Sequence, residues 1–253
     1  VVDGVTGFVG GHNVSDTYVG RNPRYGHWRD THLRLQGPIV AQLQLIFTED
    51  WHWGTGELLT HELNWDPGTH EDDMTAVLLP TGPADAMETG TQTFFATITA
   101  ARKRLWIASP YFVPDASIQS ALSNAALKGV DVRVILTGTV DHYLPWLAAH
   151  AFFDEIRSDG VQIYHYKAGF MHQKIVLCDE DVALVGTANC DVRSFRLNFE
   201  TMAAFADTRF AGAVARMLED DLAVSERYET PLEEEPFWIR TGAKLARLLA
   251  PVL

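Results

Sequence analysis

The stretch Met171-His172-Gln173-Lys174-Ile175-Val176-Leu177-Cys178-Asp179, followed by Val185-Gly186-Thr187-Ala188-Asn189, constrains this chain more than any other. Ile175 to Cys178 is a short apolar run that ends at an acidic turn, the pattern of a buried strand. Residues two apart on a strand share a face, so His172 and Lys174 point into one space. Thr187 and Asn189 repeat that spacing on the segment that follows. Asp179 faces the other way and is expected to brace the strand. An imidazole, an ammonium, an amide and a hydroxyl converging on one side suit a phosphate group. A lone His-x-Lys would read as a packed core histidine beside a surface lysine. The longer H-x-K-x4-D pattern argues for a site.

The pattern also repeats. Subtracting 176 takes Asp179 to Asp3, Val185 to Val9, Gly186 to Gly10 and Asn189 to Asn13. The same subtraction places the partners of His172 and Lys174 five and three residues before Val1. The chain is expected to begin just inside the first copy of its own motif, so one lobe is complete and the other is not.

With these residues in view, the sequence resembles the phospholipase D superfamily, whose members carry two H-x-K-x4-D motifs, one per half. Within it, the likeness is to bacterial cardiolipin synthases. It rests on Gly26-His27-Trp28-Arg29-Asp30-Thr31-His32, Ser109-Pro110-Tyr111-Phe112-Val113-Pro114 and Gly129-Val130-Asp131-Val132-Arg133. It rests further on Gly186 to Phe195 and on Asn198-Phe199-Glu200, and it covers nearly the whole chain. The departure is the missing upstream His and Lys. The resemblance implies a phospholipase D-like α/β fold of two homologous lobes, with mixed sheets flanked by helices and the first lobe incomplete. Residues 1–75 would be the end of the first lobe plus a linker, and 76–253 the second lobe with a C-terminal helix.

Composition narrows the partners. A formal net charge of −13 gives no general attraction to nucleic acid or to an anionic leaflet, so an anionic substrate must be held by a local cluster or approached through apolar contact. No apolar run is long enough to span a bilayer, and no signal peptide is visible. The two cysteines, Cys178 and Cys190, are expected to be buried free thiols. His52, just ahead of Gly54, and His61 and His70, between Gly54 and Thr75, alternate with acids, but the spacing fits no metal-ligand motif and the stretch reads as a solvated linker. Neither metal nor cofactor is expected.

Taken in order, Val1 to Val9 reads as a strand, and the glycine-rich stretch to Gly26 as a loop at the site's rim carrying Tyr18, Tyr25, Arg21 and Arg24, with Arg29 just beyond. Trp28 to Leu35 reads as the next strand. Asp30 lies 17 residues after Asn13 and Glu200 lies 11 after Asn189, so the first-half loop is six residues longer. A helix opens at Pro38 with Val40, Leu43 and Phe47 as its buried stripe and Trp51 one turn on. A second is expected over 90–104, with Phe94, Phe95 and Ile98 inward and Arg102, Lys103 and Arg104 in its last turn. Strands at 105–108, 130–136, 161–166 and 199–205 alternate with helices near 118–125, 144–158 and 208–224, which indicates an α/β sheet. The tail from Phe237, with Trp238, Ile239, Leu245, Leu248 and Leu249, reads as a helix packed across the core, or as an interfacial helix dipping into lipid.

A phosphodiester repels nucleophiles, and histidine meets the problem by being uncharged enough to attack at neutral pH and able to donate when protonated. Two opposed histidines can divide the work, one forming a phosphohistidine and the other moving the proton. Lysine and asparagine then hold the equatorial oxygens. Either Glu200 or Asp30 would fix the tautomer of its histidine. The resemblance implies that the first-motif histidine is the nucleophile and His172 the acid/base, oriented by Glu200. It implies that Lys174, Asn189, Thr187 and Asn13 bind the phosphate, with Asp179, Asp3 and Asp30 in support. Tyr111, Phe112, Trp146 and Phe170 are candidates for an apolar wall that keeps water out.

The resemblance also implies transfer of a phosphatidyl group from one phosphatidylglycerol to another, giving cardiolipin and glycerol, by a protein peripheral to the bacterial cytoplasmic membrane. Three alternatives stand beside it. One is a hydrolytic phospholipase D, and another a metal-independent nuclease of the same superfamily, which the acidic composition disfavours. The third is an inactive half-site module, unless two copies pair their second motifs.

Overall fold

The computed structural model describes every residue except Thr60, in the acidic linker stretch, and Ala84. The motif strand lies in the middle of an eight-stranded mixed sheet. In chain order, β1 (Thr6–Gly10), β2 (Trp28–Arg29) and β3 (His32–Gln36) precede helix α1 (Ile39–Thr55). Then come β4 (Thr75–Thr81), α2 (Thr89–Ala100), β5 (Arg104–Ala108), β6 (Phe112–Val113), α3 (Ala116–Leu127), β7 (Asp131–Thr137), α4 (Tyr143–Ser158) and β8 (Gln162–Tyr166). The chain continues through β9 (Phe170–Met171), β10 (Ile175–Cys178), β11 (Val182–Gly186), β12 (Cys190–Asp191), α5 (Val192–Arg196) and β13 (Glu200–Ala206). It closes with α6 (Thr208–Ala223), β14 (Ser225–Arg227) and α7 (Phe237–Arg247).

The large sheet runs β14-β8-β7-β5-β10-β11-β13-β4. β5, β7 and β8 are parallel and joined by helices, as βαβ crossovers require. β10 pairs antiparallel with both β5 and β11, so all four of its residues are covered on every side. Its alternation serves two cores. Val176 and Cys178 face Phe94, Ile98 and Phe152 beneath α2 and α4, while Ile175 and Leu177 face Ala211, Val214 and Leu218 of α6. Burying one such aliphatic side chain contributes roughly 1.5–3 kcal/mol, so the strand carrying the motif is fixed from both faces. Both cysteines are buried and free.

The repeat is visible in the backbone. Cys178 pairs with Val182 across the turn at Asp179, and Val2 bridges Thr6 across the turn at Asp3. Asp179 and Asp3 share the left-handed conformation at φ 52° and 53°. β11 pairs with β13 from Val182↔Ala206 to Gly186↔Met202, and β1 with β3 from Thr6↔Gln36 to Gly10↔His32. The offset on the return strand is 206 − 36 = 170 rather than 176, which is the six-residue longer first loop.

Several sequence expectations need correction. The strand expected over Trp28–Leu35 is two strands broken at Asp30-Thr31, because β2 leaves β1 to pair in parallel with β9. On α1 the buried stripe is Val40, Gln44 and Thr48, while Phe47 and Trp51 turn outward and pack on each other at 6.0 Å. On α2 Phe95 is exposed, and the helix ends at Ala100, before its three cations. Those residues instead turn their backbone N–H groups onto the Asp179 carboxylate. On α7 it is Ile239, Ala243 and Ala246 that pack inward, and Leu245, Leu248 and Leu249 are exposed. Among the described residues, no helix is long and apolar enough to cross a membrane.

Candidate active site

The motif delivers its side chains to one cleft. Gly10, Gly11, Asn13, His172, Lys174, Thr187, Asn189 and Glu200 line a space of about 190 Å³ at the ends of β1, β10 and β11. His172 and Lys174 share it as the two-residue spacing requires, with Lys174 Nζ 2.9 Å from each ring nitrogen. Asn13 sits on the opposite wall, its amide donating to the Tyr18 hydroxyl at 2.9 Å. Asn189 Oδ1 is buried and has no hydrogen-bond partner among the described residues, and Thr187 Oγ1 accepts from the Thr201 backbone at 2.8 Å.

The carboxylate that holds His172 is not Glu200, as the resemblance implied, but Asp30. His172 Nδ1 lies 2.9 Å from Asp30 Oδ2, and both side chains are nearly buried. A carboxylate facing Nδ1 fixes the proton there and leaves Nε2 unprotonated, with Lys174 Nζ 2.9 Å away. The parallel pairing of β2 with β9 makes the contact. His172 N–H donates to the Arg29 carbonyl at 2.8 Å, so Asp30 follows directly beside the ring. The Asp30 carboxylate also accepts from Trp28 Nε1 at 3.3 Å and from the Thr31 backbone at 2.9 Å. Gly11 is obligatory here, since a Cβ at that position would lie 2.3 Å from Asp30 Oδ1. Glu200 faces the same cleft from the other side, held by Asn198 Nδ2 at 3.0 Å.

Beneath this pair runs a buried polar network that the sequence reading missed. Arg29, taken there as a rim cation, grips Asp221 of α6 through Nε at 2.7 Å and Nη2 at 2.9 Å. It also donates to the Asp30 carbonyl at 2.6 Å. Gln173, fully buried between the two motif residues, donates to Asp221 at 2.7 Å and accepts from Thr31 Oγ1 at 2.8 Å. Asp221 was detectable in principle: it continues the buried α6 stripe Val214, Leu218 as an acid at an apolar position.

The electrostatics follow from enclosure. Burial lowers the His172 pKa, opposed by the Asp30 hydrogen bond and assisted by the Lys174 charge, which favours a neutral imidazole. Burial also pushes Lys174 down to about 8, although Asp30, Glu200 and Asp191 all favour its charged form. Burial raises Glu200 and Asp191, with Thr187 and Asn198 opposing it at Glu200 and Ser194 at Asp191.

Two grouped residues stand outside the cleft. Asp179 accepts the backbone N–H groups of Arg102, Lys103 and Arg104 at 2.7–3.1 Å. Those bonds hold its carboxyl below the usual range against the burial that raises it. Asp3 is an exposed turn residue whose carbonyl accepts from Asn64 at 3.0 Å. The expected apolar wall also differs. Phe112 belongs to the core under α2 and α4, and Trp146 stacks on Trp238. The rings against His172 are Trp28 at 5.1 Å and Tyr18 at 5.6 Å, with Phe170 stacked behind Trp28 at 4.5 Å.

Known proteins share this arrangement of sequence and fold. The family described as "Cardiolipin synthase, PLD-like domain" matches residues 94–222, half of the chain. Cardiolipin synthase A of Pseudomonas fluorescens SBW25 is 44% identical over 100% of this chain and 53% of its own length. That of Pseudomonas aeruginosa PAO1 is 46% identical over 100% of this chain and 51% of its own. The chain thus spans about half the length of the curated relatives it matches. Among solved structures, phosphatidylserine synthase of Haemophilus influenzae Rd KW20 superposes with a TM-score of 0.72 at 15% identity, over 100% of this chain and 70% of that one. Nuc of Salmonella typhimurium, a phospholipase D family member, does so at 0.54 and 16%, over 62% of this chain and all of its own. At such identities the likeness is one of fold, a mixed α/β sheet clad in helices. The sequence relatives carry the assignment: the chain belongs to the cardiolipin synthase group of the phospholipase D superfamily.

Proposed function

We propose that the protein is a phosphatidyltransferase that joins two phosphatidylglycerol molecules into cardiolipin and releases glycerol, working at the bacterial cytoplasmic membrane. One observation carries the reading: His172 is oriented through Nδ1 by Asp30 and shares a cleft with Lys174, Asn13 and Asn189. Each of those three can donate to a phosphate oxygen. Glu200 has the same place in the second copy that Asp30 has in the first, and in this reading it orients the opposing histidine of the superfamily's paired H-x-K motif. That histidine attacks phosphorus and forms the phosphohistidine. His172 protonates the leaving glycerol oxygen and then takes the proton of the incoming hydroxyl. A His172 held neutral by burial suits the second of these steps, and the adjacent Lys174 stabilises the charge that develops on the phosphoryl oxygens.

The test is incubation of the full-length protein with phosphatidylglycerol, following cardiolipin and glycerol together. Equimolar appearance of the two supports the reading, and phosphatidic acid as the main product makes the protein a hydrolase instead. His172→Ala is expected to reduce turnover by at least about 10⁴-fold while leaving the circular dichroism spectrum unchanged.

A further inference from the structure

A second polar cluster is tied to the segments that carry the cleft residues, and none of its own residues belongs to the repeated motif. Tyr111 Oη donates to Asp141 Oδ2, and the same oxygen lies 2.9 Å from His142 Nδ1. The Tyr111 oxygen and His142 Nδ1 are 3.0 Å apart, and Asp141 Oδ1 accepts the His142 backbone N–H at 2.7 Å. The Asp141 side chain is 11% exposed and that of His142 71%, so the carboxylate is sheltered and the imidazole faces outward.

Three tethers fix this cluster to the phosphate end. Thr139 Oγ1 bonds the Gly169 carbonyl at 3.5 Å, just ahead of the strand that delivers His172. Arg24, in the loop that lays Tyr18 on His172, donates to the carbonyls of Val140 and Asp141, both at 3.4 Å. Ser109 Oγ donates to the Tyr111 carbonyl at 2.6 Å and accepts from Cys190 N at 3.0 Å, and β6 pairs with β12 directly after Asn189. Accordingly the Asp141 charge bears on both His172 and Lys174, and that of Asp191 on Tyr111.

The two ends have opposite hydrogen-bonding character. Lys174 and the asparagine amides offer donors. At the cluster, the Asp141 carboxylate consumes the Tyr111 proton and the His142 Nδ1 proton, which leaves the Tyr111 oxygen lone pairs and His142 Nε2 free as acceptors. Acceptors do not bind phosphate oxygens, and they do bind hydroxyl protons. We propose that Tyr111, Asp141 and His142 form the binding site for the acceptor alcohol, a molecule with two neighbouring hydroxyl groups such as a glycerol headgroup.

This rests on the phosphatidyltransfer reading and gives it a means of preferring alcohol to water. In the second half-reaction the alcohol oxygen bonds to phosphorus and the phosphorus–nitrogen bond of the phosphohistidine breaks, its electron pair returning to nitrogen. The alcohol proton passes to His172. Water can make the same attack, so the product ratio reports how well the alcohol is held.

The experiment uses full-length protein and variants Tyr111→Phe, Asp141→Asn and His142→Ala, the last at an exposed position where the fold is not at stake. Cardiolipin and phosphatidic acid are measured from phosphatidylglycerol. In parallel, phosphatidyl transfer to propane-1,2-diol is compared with transfer to propan-1-ol. Each variant is expected to lower the alcohol-to-water product ratio about three- to tenfold and to erase the preference for the diol. An unchanged ratio, or an equal fall in all products, overturns the proposal. Wild-type protein that consumes phosphatidylglycerol without making cardiolipin would defeat the cardiolipin reading alone, because the diol-to-water ratio still reads the cluster.

Discussion

Two hairpins of this molecule follow one plan and end differently. β10, β11 and β13 form the complete copy, and Val2, β1 and β3 the partial one, with corresponding residues in register and matching left-handed aspartates at the turns. The copies differ by six residues in one loop. In the second copy the return strand runs unbroken from Glu200, whereas in the first it breaks at Asp30 so that β2 can reach β9. That break carries Asp30 across to His172. The carboxylate of one copy thus holds the histidine of the other, which ties the copies together by a buried polar contact as well as by packing.

The sharpest way to break this comparison is to neutralise each carboxylate separately. Asp30→Asn and Glu200→Gln are each expected to lower kcat about 10²- to 10⁴-fold. Only Asp30→Asn should move the titration of His172. Removing a carboxylate that favours the imidazolium drops its pKa further below the ordinary value, and NMR of the His172 ring protons reads the shift. Movement in Glu200→Gln instead would put the wrong carboxylate on the histidine.

Next in size is the network under the pair. Asp221→Asn leaves the Arg29 guanidinium buried without its counter-charge and is expected to cost about 3–5 kcal/mol in urea unfolding. Lys174→Met should act in the other direction. The folded Lys174 sits near 8 against an ordinary 10.5, so folding disfavours its proton, and wild-type stability rises as pH climbs through that window. At pH 7 the methionine variant should therefore be inactive yet more stable, by on the order of 2–3 kcal/mol, with no such rise at alkaline pH. The smallest contrast lies in the turns. Asp179→Asn is expected to cost about 1–2 kcal/mol, because three backbone N–H groups lose a charged acceptor. Asp3→Asn, exposed and bracing nothing comparable, should change the melting temperature by less than about 1 °C.

Much of this was legible in one dimension. The apolar run 175–178, the shared face of His172 and Lys174, and the 176-residue offset were all readable, because strand periodicity and a repeat are local or translational properties. Phe47 and Phe95 were misplaced because helical periodicity names a stripe but not which neighbours exist to cover it. Leu245, Leu248 and Leu249 failed for the same reason: the face of α7 that meets α4 is its small-residue side, Ala243 and Ala246.

What the sequence determined alone was the class of fold, the family and the residues that share the cleft, since each follows from spacing along one strand or from matching a known pattern. Tertiary structure decided which carboxylate meets which histidine, and that Arg29, Gln173 and Asp221 lie beneath them. It also decided that Tyr111 and Asp141 meet. Those contacts join residues 30 to 192 positions apart. No local preference encodes such separations, and only the pairing of β2 with β9 and the crossovers of the central sheet bring them within hydrogen-bonding reach.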